Sequence, residues 1–227
     1  MVEEKFIELS SLVCEPARAK MLWNLLDGKA YTASELAVAA EISATSASNH
    51  LTKLLDANLL KVDTQGRHRY FSFATPEVAY AIESLANLAS HQLPANAKQS
   101  EISGGVRYCR SCYDHLAGYV GVKLAEELAA RKIITASDGS FIITAKGWKW
   151  LADFEIVKET IAANRRPIAR QCLDWSERRP HVAGQIGALL LTKMIEKNWF
   201  KRVQFSRELI VTSKGQKEMY SLLGIQI

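Results

Sequence analysis

The 227-residue sequence has no long hydrophobic run, and it is sparing with cysteine, proline and aromatic residues. No apolar stretch approaches the roughly 20 residues that a membrane-spanning helix needs. The N-terminus lacks the basic segment and apolar core of a signal peptide. We therefore expect a soluble, cytoplasmic globular protein. In that reducing compartment its four cysteines, Cys14, Cys109, Cys112 and Cys172, are thiols or ligands and not disulfides.

Positive charge is unevenly distributed along the chain. The net charge is +5, but residues 1–89 hold 8 Lys/Arg against 11 Asp/Glu, a net of −3. Residues 90–227 hold the remaining 21 against 13, a net of +8. A positive chain favours nucleic acid as a partner. Because the first ninety residues carry net negative charge, only the local placement of their basic residues can favour binding of nucleic acid there.

The first ninety residues predict five helices and one β-hairpin. Apolar residues recur at helical spacing, and Pro16, Thr45 and Thr75 mark helix starts. Alternation of residue types around a Gln65-Gly66 turn predicts two strands. The predicted helices are 3–12, 16–26, 35–40, 46–60 and 76–89, and the predicted strands are 61–64 and 68–73.

The polar face of the fourth helix is typical of DNA recognition. It carries Ser, Asn, His and Lys in its first turns, side chains that reach base edges and phosphates from the major groove. The following hairpin places basic side chains near its tip, where a wing can touch phosphate. Between Thr45 and Tyr70 there are four Lys/Arg against two Asp. The candidate contacts are Thr45, Ser46, Ser48, Asn49, His50, Lys53, Arg67, His68 and Arg69.

This arrangement resembles the ArsR/SmtB family of winged-helix repressors. The resemblance is carried by residues 16–22, 34–37, 46–54, 57–60 and 66–70. It implies a homodimer, formed by the first and last helices, that presents two recognition helices to a palindromic operator. It also implies that Ser48, Asn49 and His50 face DNA. For His50 a second interpretation stays open, in which the imidazole packs or caps at the helix junction.

The metal-sensing residues of many family members are missing. The helix before the recognition helix has Ala and Val where thiolates are expected, and the last helix lacks the usual Asp, His and Glu set. Cys14 stands alone before Pro16, where a small buried residue is the simplest interpretation. We therefore expect any effector, a metal or a small molecule, to act elsewhere.

An internal repeat follows a predicted linker at residues 91–105. Segment 110–114 returns as 170–174, 115–121 as 181–187, and 141–147 as 209–215. We predict a C-terminal domain over 106–227 made of two helix–hairpin–helix repeats, at about 106–160 and 166–227. The whole chain is then mainly α with small β-hairpins, an α+β fold. The Ala-Gly-x-x-Gly segments are expected to let one helix of each repeat cross the other.

Cysteine and histidine recur in this repeat at ligand-like spacing. The candidate set is Cys109, Cys112, His115, Cys172 and His181. Thiolate and imidazole suit zinc or another thiophilic ion, and an activated thiol can also sense oxidants. The alternative is that the cysteines are core residues and the histidines bond to backbone. Whether the protein holds a cofactor stays open at this point.

Arginines beside a tryptophan form a second candidate site. Guanidinium groups next to an aromatic ring suit an anionic or planar ligand, or DNA flanking the operator. Solvated arginines paired with Asp174 and Glu177 are the alternative. The residues are Arg166, Arg170, Trp175, Arg178 and Arg179.

Three functions are compatible with these patterns. The first is a DNA-binding repressor, not an enzyme, whose C-terminal domain receives a signal. The second is a thiol- or metal-dependent enzyme with Cys112 or Cys172 as nucleophile and His115 or His181 as base. The third uses the C-terminal domain for dimerisation alone. The winged helix favours the first.

Overall fold

The computed structural model describes residues 1–91, 104–161, 163, 166–204 and 206–227. The chain divides into two compact units, Met1–Ala86 and Asn87–Ile227, close to the domain end predicted at residue 90. Most of the predicted linker lies outside the described residues. Both units combine helices and strands, as an α+β fold requires. No helix within the described ranges is long and apolar enough to cross a membrane.

The N-terminal unit has the predicted helices and hairpin, with one additional short strand. The strand order is β1-β3-β2, all antiparallel. β1 was not predicted because two residues cannot show an alternating pattern. The elements are α1 (Val2–Val13), α2 (Pro16–Leu25), β1 (Tyr31–Thr32), α3 (Ala33–Ala40), α4 (Ala44–Asp56), β2 (Leu60–Gln65), β3 (His68–Phe73) and α5 (Pro76–His91).

Helix α4 differs at both ends from its prediction. Ser43 caps it, because the Ser43 hydroxyl accepts a hydrogen bond from the Ser46 amide at 3.2 Å. Thr45 therefore lies in the first turn and is not the cap. The helix ends at Asp56, because Asn58 takes a left-handed backbone with φ +55° and Leu60 already pairs with Phe73 in the sheet.

A small core orients α4 within the N-terminal unit. Its buried positions are Ala47, Leu51 and Leu54, three and four residues apart, so they lie on one face. Buried leucines of α2 and α3 belong to the same core. The opposite, polar face of α4 is consequently turned to solvent.

Helices α1 and α5 expose apolar side chains that the unit does not cover. No residue of α1 is buried, and Phe6 and Ile7 are 69% and 59% exposed. Leu85 of α5 is 50% exposed. Exposed leucines are common one at a time, but a whole helix with no buried residue is not.

The C-terminal unit contains two strand pairs and two longer helices in each predicted repeat. The first repeat has β4 (Arg110–Cys112), β5 (His115–Ala117), α7 (Gly118–Ala130), β6 (Ile134–Ser137), β7 (Ser140–Ile143) and α8 (Ala145–Ala152), preceded by α6 (Gly105–Tyr108). The second has β8 (Arg170–Leu173), β9 (Pro180–Ala183), α9 (Gly184–Glu196), β10 (Phe200–Arg202), β11 (Leu209–Val211) and α10 (Ser213–Leu223), and a short 3-10 helix spans Lys158–Thr160.

The predicted helix–hairpin–helix repeat therefore lacked its first hairpin. Both cysteine–histidine segments are strand pairs and not helices. Residues 110–112 and 115–117 are buried at every position, so they show no alternation that could reveal a strand. Their two-residue turn also uses Tyr113 at φ +56°, where glycine or asparagine is the usual turn signal.

The second strand pair of each repeat lies beside the first strand pair of the other repeat. β6-β7 extends β8-β9 into one four-stranded sheet through the pairing of Ser140 with Arg170. The equivalent bridge between Glu208 and Arg110 connects β10-β11 to β4. The equivalence extends to single backbone bonds. The amides of Phe141 and Gln171 donate to the carbonyls of Ala169 and Gly139, and those of Leu209 and Ser111 donate to the carbonyls of Cys109 and Arg207.

The second glycine of each Ala-Gly-x-x-Gly segment, Gly121 or Gly187, lies against the strand before it, where helix crossing was expected. α7 packs against β9, and α9 packs against β5. Gly118 and Gly184 begin their helices at φ +77° and +82°, a conformation that favours glycine. A Cβ at Gly187 would lie 2.3 Å from the carbonyl oxygen of Val182 in the strand before it. Each helix thus lies close to the strands that carry cysteine and histidine.

Candidate DNA-binding surface and buried cysteine–histidine cluster

The solvent face of α4 carries most of the predicted contacts. Thr45, Ser48, Asn49 and Lys53 are exposed, and Ser46 is half-buried. Positions 45, 48, 49 and 52 repeat at helical spacing, so they form one continuous polar face. Such a face presents hydrogen-bonding groups without any apolar side chain between them.

The β2-β3 hairpin is the predicted wing. Its turn contains Gly66 at φ +58°, and the three side chains that follow are exposed. Arg67 Nε lies 3.4 Å from His68 Nε2, and the Arg69 guanidinium carbon lies 5.4 Å from the centre of the Phe71 ring. Arg67 and Arg69 therefore lie near the tip of the wing, and neither forms an ion pair with a carboxylate in the part of the chain that the structure describes.

His50 has a different environment. It is half-buried, with Nδ1 3.2 Å from Arg18 Nη1 and 3.4 Å from Glu15 Oε2. Arg18 in turn donates to the carbonyl of Leu12 at 2.6 Å. Partial burial raises the pKa of Glu15, but the backbone hydrogen bonds from Arg18 and Ala17 bring the pKa below its ordinary value. The structure favours the interpretation of His50 as a residue that joins helices.

Substitutions of adjacent residues separate these roles. We expect His50→Ala to lower the free energy of unfolding by about 1 kcal/mol, because Arg18 loses a hydrogen-bond partner. We expect Asn49→Ala to leave stability within about 0.5 kcal/mol and to cost about 1–3 kcal/mol in discrimination between bases. Urea denaturation and competition binding measure the two effects. Equal loss of base discrimination in both variants would place His50 on the DNA.

Cys14 does not occupy the buried position that was expected. It is the C-terminal capping residue of α1 and is exposed. In α3 the positions at which related sensors are expected to have cysteine hold alanine and valine, and Val38 is 79% exposed. The N-terminal unit thus offers no thiolate pair for a metal within its described residues.

The C-terminal unit brings four of the five predicted ligands together. Cys112 pairs with His115 across β4-β5, and Cys172 pairs with His181 across β8-β9. Directly opposite residues in an antiparallel pair project to the same face of the sheet. The β8-β9 loop spans residues 174–179, against 113–114 between β4 and β5, and the longer loop leaves the cysteine–histidine pairing unchanged.

The four side chains form a compact, buried cluster. One ligand atom from each, Cys112, His115, Cys172 and His181, lies within 4.8 Å of every other. The Nε2 atoms of the histidines are 3.1 Å apart, and their ring centres are 5.0 Å apart. We call these four residues the Cys–His cluster. Two thiols and two imidazoles at this distance are a donor set that suits zinc or a similar thiophilic ion.

The electrostatics of the cluster stabilise a thiolate. The hydrogen bond with Cys172 is the largest influence on the pKa of Cys112, and bonds with the two histidines act in the same direction. Together they overcome burial and hold this pKa well below its ordinary value. Burial is the largest influence on the pKa of His181 and lowers it, although Cys112 and Asp174 act in the opposite direction. Thiolate and neutral imidazole are the forms in which cysteine and histidine bind metals.

Each histidine has a carboxylate behind it. His115 Nδ1 lies 3.3 Å from Asp114 Oδ1, and His181 Nδ1 lies 3.4 Å from Asp174 Oδ2. These aspartates are equivalent positions of the two repeats. A carboxylate on Nδ1 keeps the proton there and leaves Nε2 as the electron-pair donor.

An arginine donates to each of these carboxylates, and one of the two arginines, Arg110, was not among the predicted site residues. Arg110 Nη2 donates to Asp174 Oδ2 at 2.8 Å, and both side chains are fully buried. Arg166 Nη2 donates to Asp114 Oδ2 at 2.6 Å. Burial raises the pKa of Asp174, but the Arg110 charge and further hydrogen bonds lower it overall. The repeated Arg-x-Cys-x-Asp pattern was the available signal for Arg110.

The remaining members of the predicted arginine–tryptophan site are dispersed. Trp175 lies over Arg110 at 4.6 Å and Arg107 at 5.8 Å, neither of which was in the predicted set. Arg179 pairs with Glu126 and Glu177, Arg178 is exposed, and Arg170 is half-buried on β8. These arginines therefore make separate contacts within the described residues, and a shared ligand stays a prediction.

Cys109 lies outside the Cys–His cluster. It is buried in the apolar core of the C-terminal unit, where burial raises the pKa of its thiol. Its carbonyl accepts the hydrogen bond from Leu209 that joins the repeats. The spacing to Cys112 suggested a ligand, but the residue is one position before β4 and turns into the core.

Similarity to known proteins identifies the family. The family model described as a helix-turn-helix domain matches residues 14–63. The uncharacterized HTH-type transcriptional regulator YdfF of Bacillus subtilis (strain 168) is 38% identical over 220 residues, which is 97% of each chain.

Two solved structures are also similar. The homodimeric winged helix-turn-helix DNA-binding domain of Mb0332 from Mycobacterium bovis has 19% identity and a TM-score of 0.39, and the match covers 44% of this chain and 91% of that one. The transcriptional repressor PagR of Bacillus anthracis has 28% identity and a TM-score of 0.34, with 37% and 97% covered. Because both TM-scores are low, family membership rests on the full-length relative. The chain belongs to the HTH-type transcriptional regulators, which are DNA-binding proteins.

Proposed function

We propose that the protein is a homodimeric repressor of the cytoplasm that binds a palindromic operator and leaves it when the C-terminal unit receives a signal. The exposed polar face of α4, beside a wing with two arginines, is the observation that carries the proposal. Asn49 and Lys53 on α4 and Arg67 on the wing combine base-reading and phosphate-binding groups. They do so in a unit whose overall charge is negative.

The dimer follows from the exposed apolar residues of α1 and α5. An isolated helix of twelve residues is marginal in water, and α1 has no buried side chain to stabilise it. A second copy of the chain offers the same apolar surface, and a two-fold axis would let Phe6, Ile7 and Leu85 of both copies pack together. Two α4 helices would then face one side of the DNA.

The signal is assigned to the C-terminal unit because the N-terminal unit lacks thiolates at the family's sensing positions. The C-terminal unit instead concentrates buried titratable groups in and around the Cys–His cluster. We propose no enzymatic activity there. Both cysteines are buried, so a substrate has no direct access to the groups that an enzyme would use as nucleophile.

Binding to a duplex that covers the protein's own promoter, measured at several salt concentrations, tests the proposal. Each phosphate contact contributes a slope of about −0.9 in log affinity against log salt. A dimer loses two contacts per substitution, so we expect Lys53→Ala and Arg67→Ala each to reduce the slope by about 1.8.

Lys217→Ala is the matched control, since it removes the same charge from an exposed position on α10. We expect its salt dependence to equal that of the unmodified protein. If Lys53→Ala, Arg67→Ala and Lys217→Ala all changed the slope equally, binding would be a property of net charge, and the assigned surface would be wrong.

A further inference from the structure

We infer that the Cys–His cluster is a closed, four-ligand site for a zinc-type ion that ties the two repeats together. Its ligands are Cys112 and His115 from the first repeat and Cys172 and His181 from the second. The inference concerns the C-terminal unit alone, so it can fail while DNA binding stands, and the reverse also holds.

The distances within the cluster fit tetrahedral coordination. With Zn–N bonds of about 2.0–2.1 Å, two nitrogens on a tetrahedral ion lie about 3.3–3.4 Å apart, and with Zn–S bonds of about 2.3 Å two sulfurs lie about 3.8 Å apart. The histidine Nε2 atoms are 3.1 Å apart, and all four ligand atoms lie within 4.8 Å of one another. Binding therefore needs only small movements of side chains.

The charges also fit a divalent ion. Two thiolates carry −2, two neutral imidazoles carry no charge, and a divalent cation makes the buried centre neutral. Burial of net charge is costly, and a neutral centre avoids that cost.

The surroundings of the cluster orient its ligands. Asp114 and Asp174 face the Nδ1 atoms of the two histidines, which leaves both Nε2 atoms directed at the cluster. His181 Nδ1 is fully buried and makes no hydrogen bond within the described part of the chain, so its interaction with Asp174 Oδ2 at 3.4 Å is electrostatic. On the sulfur side, Arg207 Nη2 donates to Cys112 Sγ at 3.8 Å.

The site is closed, which is typical of structural and not catalytic zinc. All four ligands are buried, and the set supplies four protein donors with no position left for substrate. Helix α9 of the second repeat also packs closely against His115 of the first repeat, because a Cβ at Gly187 would lie 3.1 Å from the Cβ of His115. The ion would therefore join β4-β5 to β8-β9, two strand pairs that lie far apart in the sequence.

Metal content of the full chain, purified without chelator, tests the inference. We expect about one zinc per chain in the unmodified protein and in the control variants Cys14→Ser and Cys109→Ala. We expect at least a tenfold loss in Cys112→Ser and in Cys172→Ser. Absence of stoichiometric zinc from the unmodified protein, or loss of zinc in Cys109→Ala at unchanged stability, would overturn the inference.

Spectroscopy of the unmodified protein covers the case in which a cysteine variant does not fold. Zinc-edge X-ray absorption should show two sulfur neighbours at about 2.3 Å and two nitrogen neighbours at about 2.0 Å. Cobalt substitution should give the intense visible bands of tetrahedral geometry and charge transfer from thiolate. A first shell of oxygens, or a Cys112–Cys172 disulfide in protein prepared under reducing conditions, would contradict the proposed site.

Discussion

Replacement of Phe6 or Leu85 by Asp is expected to convert the proposed dimer into a monomer and to weaken operator binding by at least about 100-fold. Phe6 lies on α1 and Leu85 on α5, and both are at least half exposed in the single chain. A carboxylate in an apolar interface must be desolvated without a partner, which strongly disfavours association. A monomer binds one half-site and loses the gain from binding two half-sites at once.

Analytical ultracentrifugation gives the oligomeric state, and fluorescence anisotropy gives the affinity. Val38→Asp is the control for association, because Val38 is 79% exposed on α3 and lies on neither proposed interface helix. We expect that variant to remain a dimer. Circular dichroism shows whether the variants keep their helices. A folded Phe6→Asp and a folded Leu85→Asp that both remain dimers would remove α1 and α5 from the interface.

Arg110→Met is expected to lower the free energy of unfolding of the C-terminal unit by about 3–5 kcal/mol. Arg110 and Asp174 are both fully buried, and the substitution leaves Asp174 charged with no cation. The same change also removes the ring contact between Arg110 and Trp175. Part of the loss is the desolvation of Asp174, so it measures the cost of breaking the pair and not the net value of forming it.

Urea denaturation followed by tryptophan fluorescence measures this effect, because Trp148, Trp150, Trp175 and Trp199 all lie in the C-terminal unit. Arg131→Met is the matched control. Arg131, the capping residue after α7, pairs with Glu127 at 3.8 Å, and such exposed pairs contribute little. We expect a change below about 0.5 kcal/mol for the control. Equal effects of both substitutions would mean that the buried pair has no special role.

The winged helix could be predicted from sequence because its signals are local. Pro16 starts α2, Thr32 and Glu35 form a capping box at α3, and Gly66 marks the wing. Each of these depends on residues within one turn of each other. The role of His50 could not be predicted in this way, because its partner Arg18 is 32 residues away and is identified only by helix packing.

The Cys–His cluster was partly predictable, for a reason that involves the repeat. The duplicated cysteine and histidine placed two donors in each repeat and suggested that the pairs meet. Sequence spacing could not separate Cys109 from Cys112, because only the strand pairing turns Cys112 toward His115 and Cys109 into the apolar core. The fully buried strands β4 and β5 gave no alternating pattern, so the hairpin that makes this distinction was not predicted.

The arginine–tryptophan site shows the limit of composition as evidence. Five residues close in sequence suggested one ligand site, but in the fold Arg166 pairs with Asp114, and Arg179 pairs with Glu126 and Glu177. Trp175 contacts Arg107 and Arg110, which lie more than sixty residues earlier in the chain. Long-range pairing of the repeats determines those neighbours, and charge clustering along the sequence carries no information about it.

Selection of bound sequences from a random pool of DNA duplexes tests the central claim most directly, because it needs no knowledge of the regulated genes. The account predicts enrichment of a palindrome whose half-sites are centred about 10–10.5 base pairs apart, or a multiple of that spacing. It also predicts that Asn49→Ala relaxes the preference within each half-site, while Lys217→Ala leaves it unchanged. No enrichment, or an asymmetric motif that the Asn49 variant selects equally well, would contradict a dimer that reads DNA through α4.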